Sequence, residues 1–246
     1  MGKLRDRLVE PRYIAAILAA IIGIRILSAM AILVLWFPEL MANPKLFSQA
    51  ESLFPFIYDH QGEWRSALFA GVLSSALAIP LAVLLTRYFS DQNALAESML
   101  IIGVGGFLVD VVATTMNFLG TLWLAQRYMA DSGMQETAAF VWQWVEVWRD
   151  EGLKTISFIA IGLFTLWLAR QMRGAPRSFW IQLSSWLFGA IMVLIGILDA
   201  VGLFELGEYG IASGFGHIFY ALWGLSIGHW FWFRAPPRSS IGDPVG

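Results

Sequence analysis

Six stretches of this chain stay apolar long enough to cross a bilayer: residues 13–37, 65–88, 98–125, 154–170, 178–204 and 210–233. A hydrocarbon core of ~30 Å takes about 20 helical residues at a rise of 1.5 Å each. Within lipid only a helix or a closed barrel satisfies the backbone N–H and C=O groups, and runs of this length are helical. The pattern predicts an all-α polytopic membrane protein with six transmembrane helices in a single domain over residues 1–246. The segments at 89–97 and 171–177 are short, so helices two and three, and four and five, should form tight antiparallel hairpins; the second turn carries Gly174 and Pro176 between arginines.

The other side holds more chain. Residues 38–64 contain an Asn43-Pro44 turn and then a short helix predicted over 46–54. In residues 126–153, Phe140, Val141, Trp144 and Trp148 recur at helical spacing against Gln143, Glu146, Arg149 and Asp150. That spacing predicts an outer amphipathic helix near 136–150 with its tryptophans among lipid headgroups. Pro80, inside the second run, should kink it, because it removes a backbone donor and crowds the preceding turn.

Composition agrees with this reading: the 246 residues are 58% hydrophobic and 14% charged, with mean hydropathy +0.65, too apolar for an ordinary soluble domain. Ten of the 16 lysines and arginines fall in the N-terminal segment, the second and fourth loops and the tail. By the positive-inside bias both termini are expected to be cytoplasmic; the expected location is a bacterial-type cytoplasmic (inner) membrane, crossed several times. The first run is about twice a 7–15-residue signal-peptide core, so it reads as a retained helix. Trp36, Trp64, Trp123, Trp180, Trp230 and Trp232 lie near span boundaries and read as an aromatic belt. Without cysteine there is no disulfide, thiolate metal site, cysteine nucleophile or attached c-type haem. A net charge of −2 and the lack of a long basic block give no reason to expect nucleic acid as a partner.

The candidate chemistry lies inside the runs. Arg25 and Asp110 are each about thirteen residues, or ~20 Å, from the inner ends of the first and third helices. Alone at a helix centre each would cost roughly 2.5–3.5 kcal/mol, so the fold must pair them, hydrate them or use them. One reading is a buried ion pair fixing helix one against helix three. The other is a charge that meets a substrate carboxylate or carries a proton. The third helix has a small and polar face of Gly103, Gly106, Asp110, Thr114, Asn117 and Thr121; the fifth a stripe of Ser185, Gly189, Gly196 and Asp199; the sixth Ser213, His217, Tyr220 and Gly224. Asn117 reads as an interhelical hydrogen-bonding residue, and the glycines as close helix packing. Asp199 and His217, one to two turns from the outer surface, read either as a watered pair or as a ligand or proton site. Together Arg25, Asp110, Asn117, Asp199 and His217 outline a ligand or proton pathway. They suggest a polar cavity open to the outside, with Arg25 and Asp110 at its floor and the first outer loop, including Asp59 and His60, as its lid.

Several specific chemistries fit poorly. His217 and His229 share a helix and lie ~18 Å apart along it, and His60 is in a loop, which argues against membrane haem. A zinc hydrolase needs about three converging ligands; His60, His217 and Asp199 could approach, but His229 cannot join them. A retinal Schiff base needs a lysine inside the bundle, and Lys3, Lys45 and Lys154 are read as outside it or at an edge. No nucleophile and base can be assembled from spacing, so no catalytic, cofactor-binding or metal residue is assigned.

The long first outer loop, the Ala78-Ile79-Pro80-Leu81-Ala82 segment and the basic 170–177 turn leading into a glycine-bearing fifth helix resemble an uncharacterised bacterial family of six-helix integral-membrane proteins, a domain of unknown function. The resemblance covers most of the chain. It implies the topology but no activity, cofactor or catalytic residue, and the tryptophan-rich outer helix departs from it. The leading expectation is outward-facing binding or transport of a small polar or amphiphilic molecule, coupled to protons through Asp110, Asp199 or His217. The alternative is a non-catalytic accessory subunit of a larger membrane complex. An intramembrane hydrolase or lipid-modifying enzyme is a third reading, without a ligand set. The expected partners are the lipid bilayer, a small-molecule ligand, and a membrane-protein partner or second copy.

Overall fold

The computed structural model describes residues 10–36, 49–90, 93–173, 175, 178–203 and 208–235, and all regular structure among them is helical. The Asn43-Pro44 turn, Gly174, Pro176 and the side chain of Ser213 lie outside the described part.

Eight helices organise the described chain: α1 (Pro11–Trp36), α2 (Ala50–Asp59), α3 (Gln61–Phe89), α4 (Ala94–Ala130), α5 (Gln135–Glu146), α6 (Thr155–Gln171), α7 (Phe179–Ala200) and α8 (Glu208–Phe233). Five helical stretches, in α1, α3, α4, α6 with its N-terminal approach, and α7, are long and apolar enough to cross a membrane. The helix Glu208–Phe233 has 26 residues and packs along α1.

Local chemistry sets the ends of these elements. Asn93 caps α4, its Oδ1 accepting from the Ala96 N–H at 2.9 Å. Asp131 adopts an extended conformation after α4 and accepts from the Gly133 N–H, turning the chain into α5. Gly202, at φ +70°, ends α7 in the left-handed region, and its N–H donates to the Asp199 carbonyl.

Two boundaries differ from the sequence reading for one reason. A π-helical segment over Val147–Lys154 joins α5 to α6, so the outer helix runs without a break into the fourth span. A second π-helical turn, Met116–Thr121, lets α4 continue to Ala130. Both spans outrun their apolar runs because their polar extensions pack on each other rather than looping back. The short outer helix, expected over 46–54, runs on to Asp59 among the described residues, from Ala50; residues 46–48 lie outside the described part.

Six long helices pack in a ring. α1 lies against α3 and α8, α3 against α4, α4 against α6, α6 against α7, and α7 against α8. At one end the Arg12 guanidinium donates to the Ala235 carbonyl at 3.1 Å, bringing the start of α1 and the end of α8 together near the arginine-bearing α6–α7 turn. At the other end a cap is built from α2, α5 and the end of α4. Its core sets Leu53, Phe54 and Ile57 against Trp64, Leu122, Ala125 and Trp142, all buried.

Small residues bring the ring's helices close together. A Cβ at Gly162 would lie 2.7 Å from the Gly189 carbonyl, and one at Gly224 2.9 Å from the Ala19 carbonyl. These contacts place backbone against backbone at the α6–α7 and α1–α8 crossings, the membrane packing mode of small-residue faces.

Candidate functional site

The ring holds a buried charge pair, but Arg25 does not take part in it. Lys154 Nζ lies 2.5 Å from Asp110 Oδ1, with the two residues 9% and 6% exposed. Lys154 closes the π-helical segment, and that backbone carries it over the ring of Phe158, one turn further on, at 5.9 Å from the centroid. It also donates to Thr114 Oγ1 at 2.8 Å, and Ser75 Oγ of α3 donates to Asp110 Oδ2. Three helices thus supply one charge-neutral cluster whose carboxylate oxygens both accept. An unpartnered charge in this place would cost several kcal/mol; paired and hydrogen-bonded, most of that cost is offset.

Next to it, Thr155 Oγ1 of α6 donates to Asp199 Oδ2 of α7, so the half-buried Asp199 lies beside the Lys154 backbone. His217 of α8, also half-buried, is close enough to Asp110 to act on it electrostatically. Asp110, Lys154, Asp199 and His217 therefore form one polar layer toward the cap.

The layer has an aromatic floor. Tyr220 stacks on Phe188 at 5.1 Å and 5°, and on Phe107 at 6.3 Å and 26°, while Trp223 packs on Phe188 and donates its Nε1–H to Ser185 Oγ at 3.0 Å. Phe107 lies one turn from Asp110 toward the arginine turn. Phe107, Phe188 and Trp223 are fully enclosed and Tyr220 is buried, so rings fill this level of the bundle.

Several expectations need correction. Arg25 is half-buried on α1 and forms no ion pair with Asp110 or with any other described residue. α1 adjoins α3 and α8, whereas Asp110 faces α3 and α6, so equal depth did not mean adjacency. Asn117 does not bridge helices through its Oδ1; that oxygen accepts from Thr121 Oγ1, one turn along the same helix, within the π-helical turn. The floor of an open cavity is not what surrounds Asp110, which is packed in. His60 stays with the cap: its Nδ1 lies 3.0 Å from the Phe56 carbonyl and its ring stacks on Phe56 at 4.5 Å. Among the described residues no three histidine or acidic side chains converge as a metal set.

Sequence reasoning missed Lys154, Ser75 and Thr155. Lys154 begins the shortest apolar run, and a lysine at the edge of a span ordinarily reads as snorkelling to water. The length of that run carried a signal: extended upstream to a full span it becomes Gly152–Gln171 and takes Lys154 inside. The premise that every lysine lies outside the bundle or at its edge fails for the same residue. No family model, curated protein or solved structure matches the chain.

Proposed function

We propose that this chain is a six-helix protein of the cytoplasmic membrane, with both termini on the cytoplasmic side, that binds or transports a small polar or amphiphilic molecule from the outer face and uses Asp110 as its proton-sensitive group. One observation carries the reading: a lysine and an aspartate paired in the interior of a membrane bundle, on an aromatic floor and beside half-buried Asp199 and His217. Intramembrane ionisable groups so placed mark ligand and proton pathways. A proton reaching Asp110 cancels the charge that holds Lys154. The freed ammonium then needs a new anion, which a ligand carboxylate or Asp199 supplies. The aromatic stack keeps the layer shut toward the arginine turn meanwhile.

The test uses purified protein in liposomes containing a pH-sensitive dye, under an imposed membrane potential and with a panel of small amino, carboxylic and amphiphilic solutes. Wild-type protein is expected to move protons or solute. Asp110→Asn, verified as folded by gel filtration, is expected to lose that signal. Folded Asp110→Asn with every flux unchanged would rule the reading out.

A second reading, an accessory subunit of a larger membrane complex, is favoured by the outward face of the α5 region. Phe140, Trp144 and Trp148 are exposed there and, with Met116, Val141 and Val145, line an open groove of about 320 Å³. Purification in mild detergent distinguishes the two, because an accessory subunit brings stoichiometric protein partners with it.

A further inference from the structure

We infer that the groove beside the arginine turn is a binding site for an anionic phospholipid. It lies where α6 ends and α7 begins, has a volume of about 500 Å³, and is lined by Arg173, Phe179, Gln182, Leu183 and Trp186. Its charge is of one sign. Arg170 and Arg173 are exposed, neither forms an ion pair with a described residue, and the sequence has no acidic residue between Glu151 and Asp199.

Along α7 the wall changes character. Phe179, Leu183, Trp186 and Leu187 are exposed at helical spacing, and Leu194 carries the apolar face further from the arginines. Gln182 Nε2 donates to the Ala169 carbonyl at 3.1 Å, tying the start of α7 to the end of α6, so the arginine-bearing helix end and the apolar stripe keep a fixed relation; Arg173 lines the groove and Arg170 lies three residues before it. The arrangement matches a molecule with an anionic head and long hydrocarbon chains. A guanidinium engages phosphate oxygens through paired N–H donors, and basic sites at span ends select anionic headgroups. Free phosphate would use the arginines and leave the stripe unfilled. A zwitterionic lipid brings its own cation to an uncompensated positive site. The inference requires only that α6 and α7 sit in a bilayer, and is independent of the role of Asp110.

The test is retention of lipid by the full-length protein after detergent washing, read by native mass spectrometry, with phosphatidylglycerol and phosphatidylcholine of identical acyl chains. Phosphatidylglycerol should be retained preferentially. At about fivefold per basic residue, Arg173→Gln should lower the preference about fivefold, and Arg170→Gln with Arg173→Gln roughly 30-fold. Both side chains are exposed, so thermal unfolding in phosphatidylcholine should match wild type, and the single variant suffices if the double one is unstable. Glycerol phosphate, a head without chains, should not displace the lipid. Equal retention of the two lipids, a preference that Arg173→Gln leaves intact, or displacement by glycerol phosphate would each overturn the inference.

Discussion

Asp110 shows how much a single residue can hold. Its carboxylate takes Lys154 on one oxygen and Ser75 on the other, and Lys154 in turn reaches Thr114. Removing one member leaves the other charge buried without a partner, which costs about 3–5 kcal/mol, whereas removing both costs little. Lys154→Met and Asp110→Asn are therefore each expected to lower stability by that amount, and the double variant to recover most of it, measured by unfolding in mixed micelles as a double-mutant cycle. Arg25→Gln, with no described ion pair to lose, is expected to change stability by under about 1 kcal/mol in the same assay. Asp110 and Thr114 were legible in the sequence as interior polar positions. Their cation was not, because hydropathy reports depth along a helix and says nothing of which helix stands beside it.

At the scale of elements, close approach and continuity matter most. Gly189 places its Cα against the α6 backbone, and a Cβ there would lie 2.9 Å from the Gly162 carbonyl. Gly189→Val is expected to destabilise by about 1–3 kcal/mol through forced separation of α6 and α7. Gly105, where an added Cβ meets nothing within 4 Å, gives the contrast: Gly105→Ala should be neutral or stabilise by up to ~1 kcal/mol. Thermal scans of the two variants check both. In the cap, Trp142 is 2% exposed and packs edge-on against Phe54 at 6.0 Å, while Trp144 on the opposite face is 55% exposed. Trp142→Ala should cost about 3–5 kcal/mol and expose the 131–134 turn to limited proteolysis, and Trp144→Ala should do neither. The amphipathic pattern of this stretch was readable because its apolar positions fall at helical spacing. Its fusion with α6 was not, since a π-helical segment has no periodicity that propensity records.

For the whole molecule, the proposed topology puts the cap outside and both termini inside. The chain contains no cysteine, so single cysteines report cleanly. In intact cells a membrane-impermeant maleimide should label Ser132→Cys in the exposed cap turn and leave Ser239→Cys in the tail unlabelled until lysis. The reverse pattern would invert the topology, and equal labelling would refute an odd number of spans after the cap turn. By itself the sequence determined that this is a helical chain with runs apolar enough to cross lipid, roughly where those runs lie, and that Asp110, Asp199 and His217 sit on its helices. Those properties follow from the length and periodicity of apolar runs, which a one-dimensional string carries in full. Only the tertiary structure decided that α1 stands beside α3 and α8, that Lys154 rather than Arg25 answers Asp110, and that aromatic rings close the bundle beneath them. Those outcomes depend on the rotation and neighbours of each helix, set by backbone contacts between residues far apart in the chain.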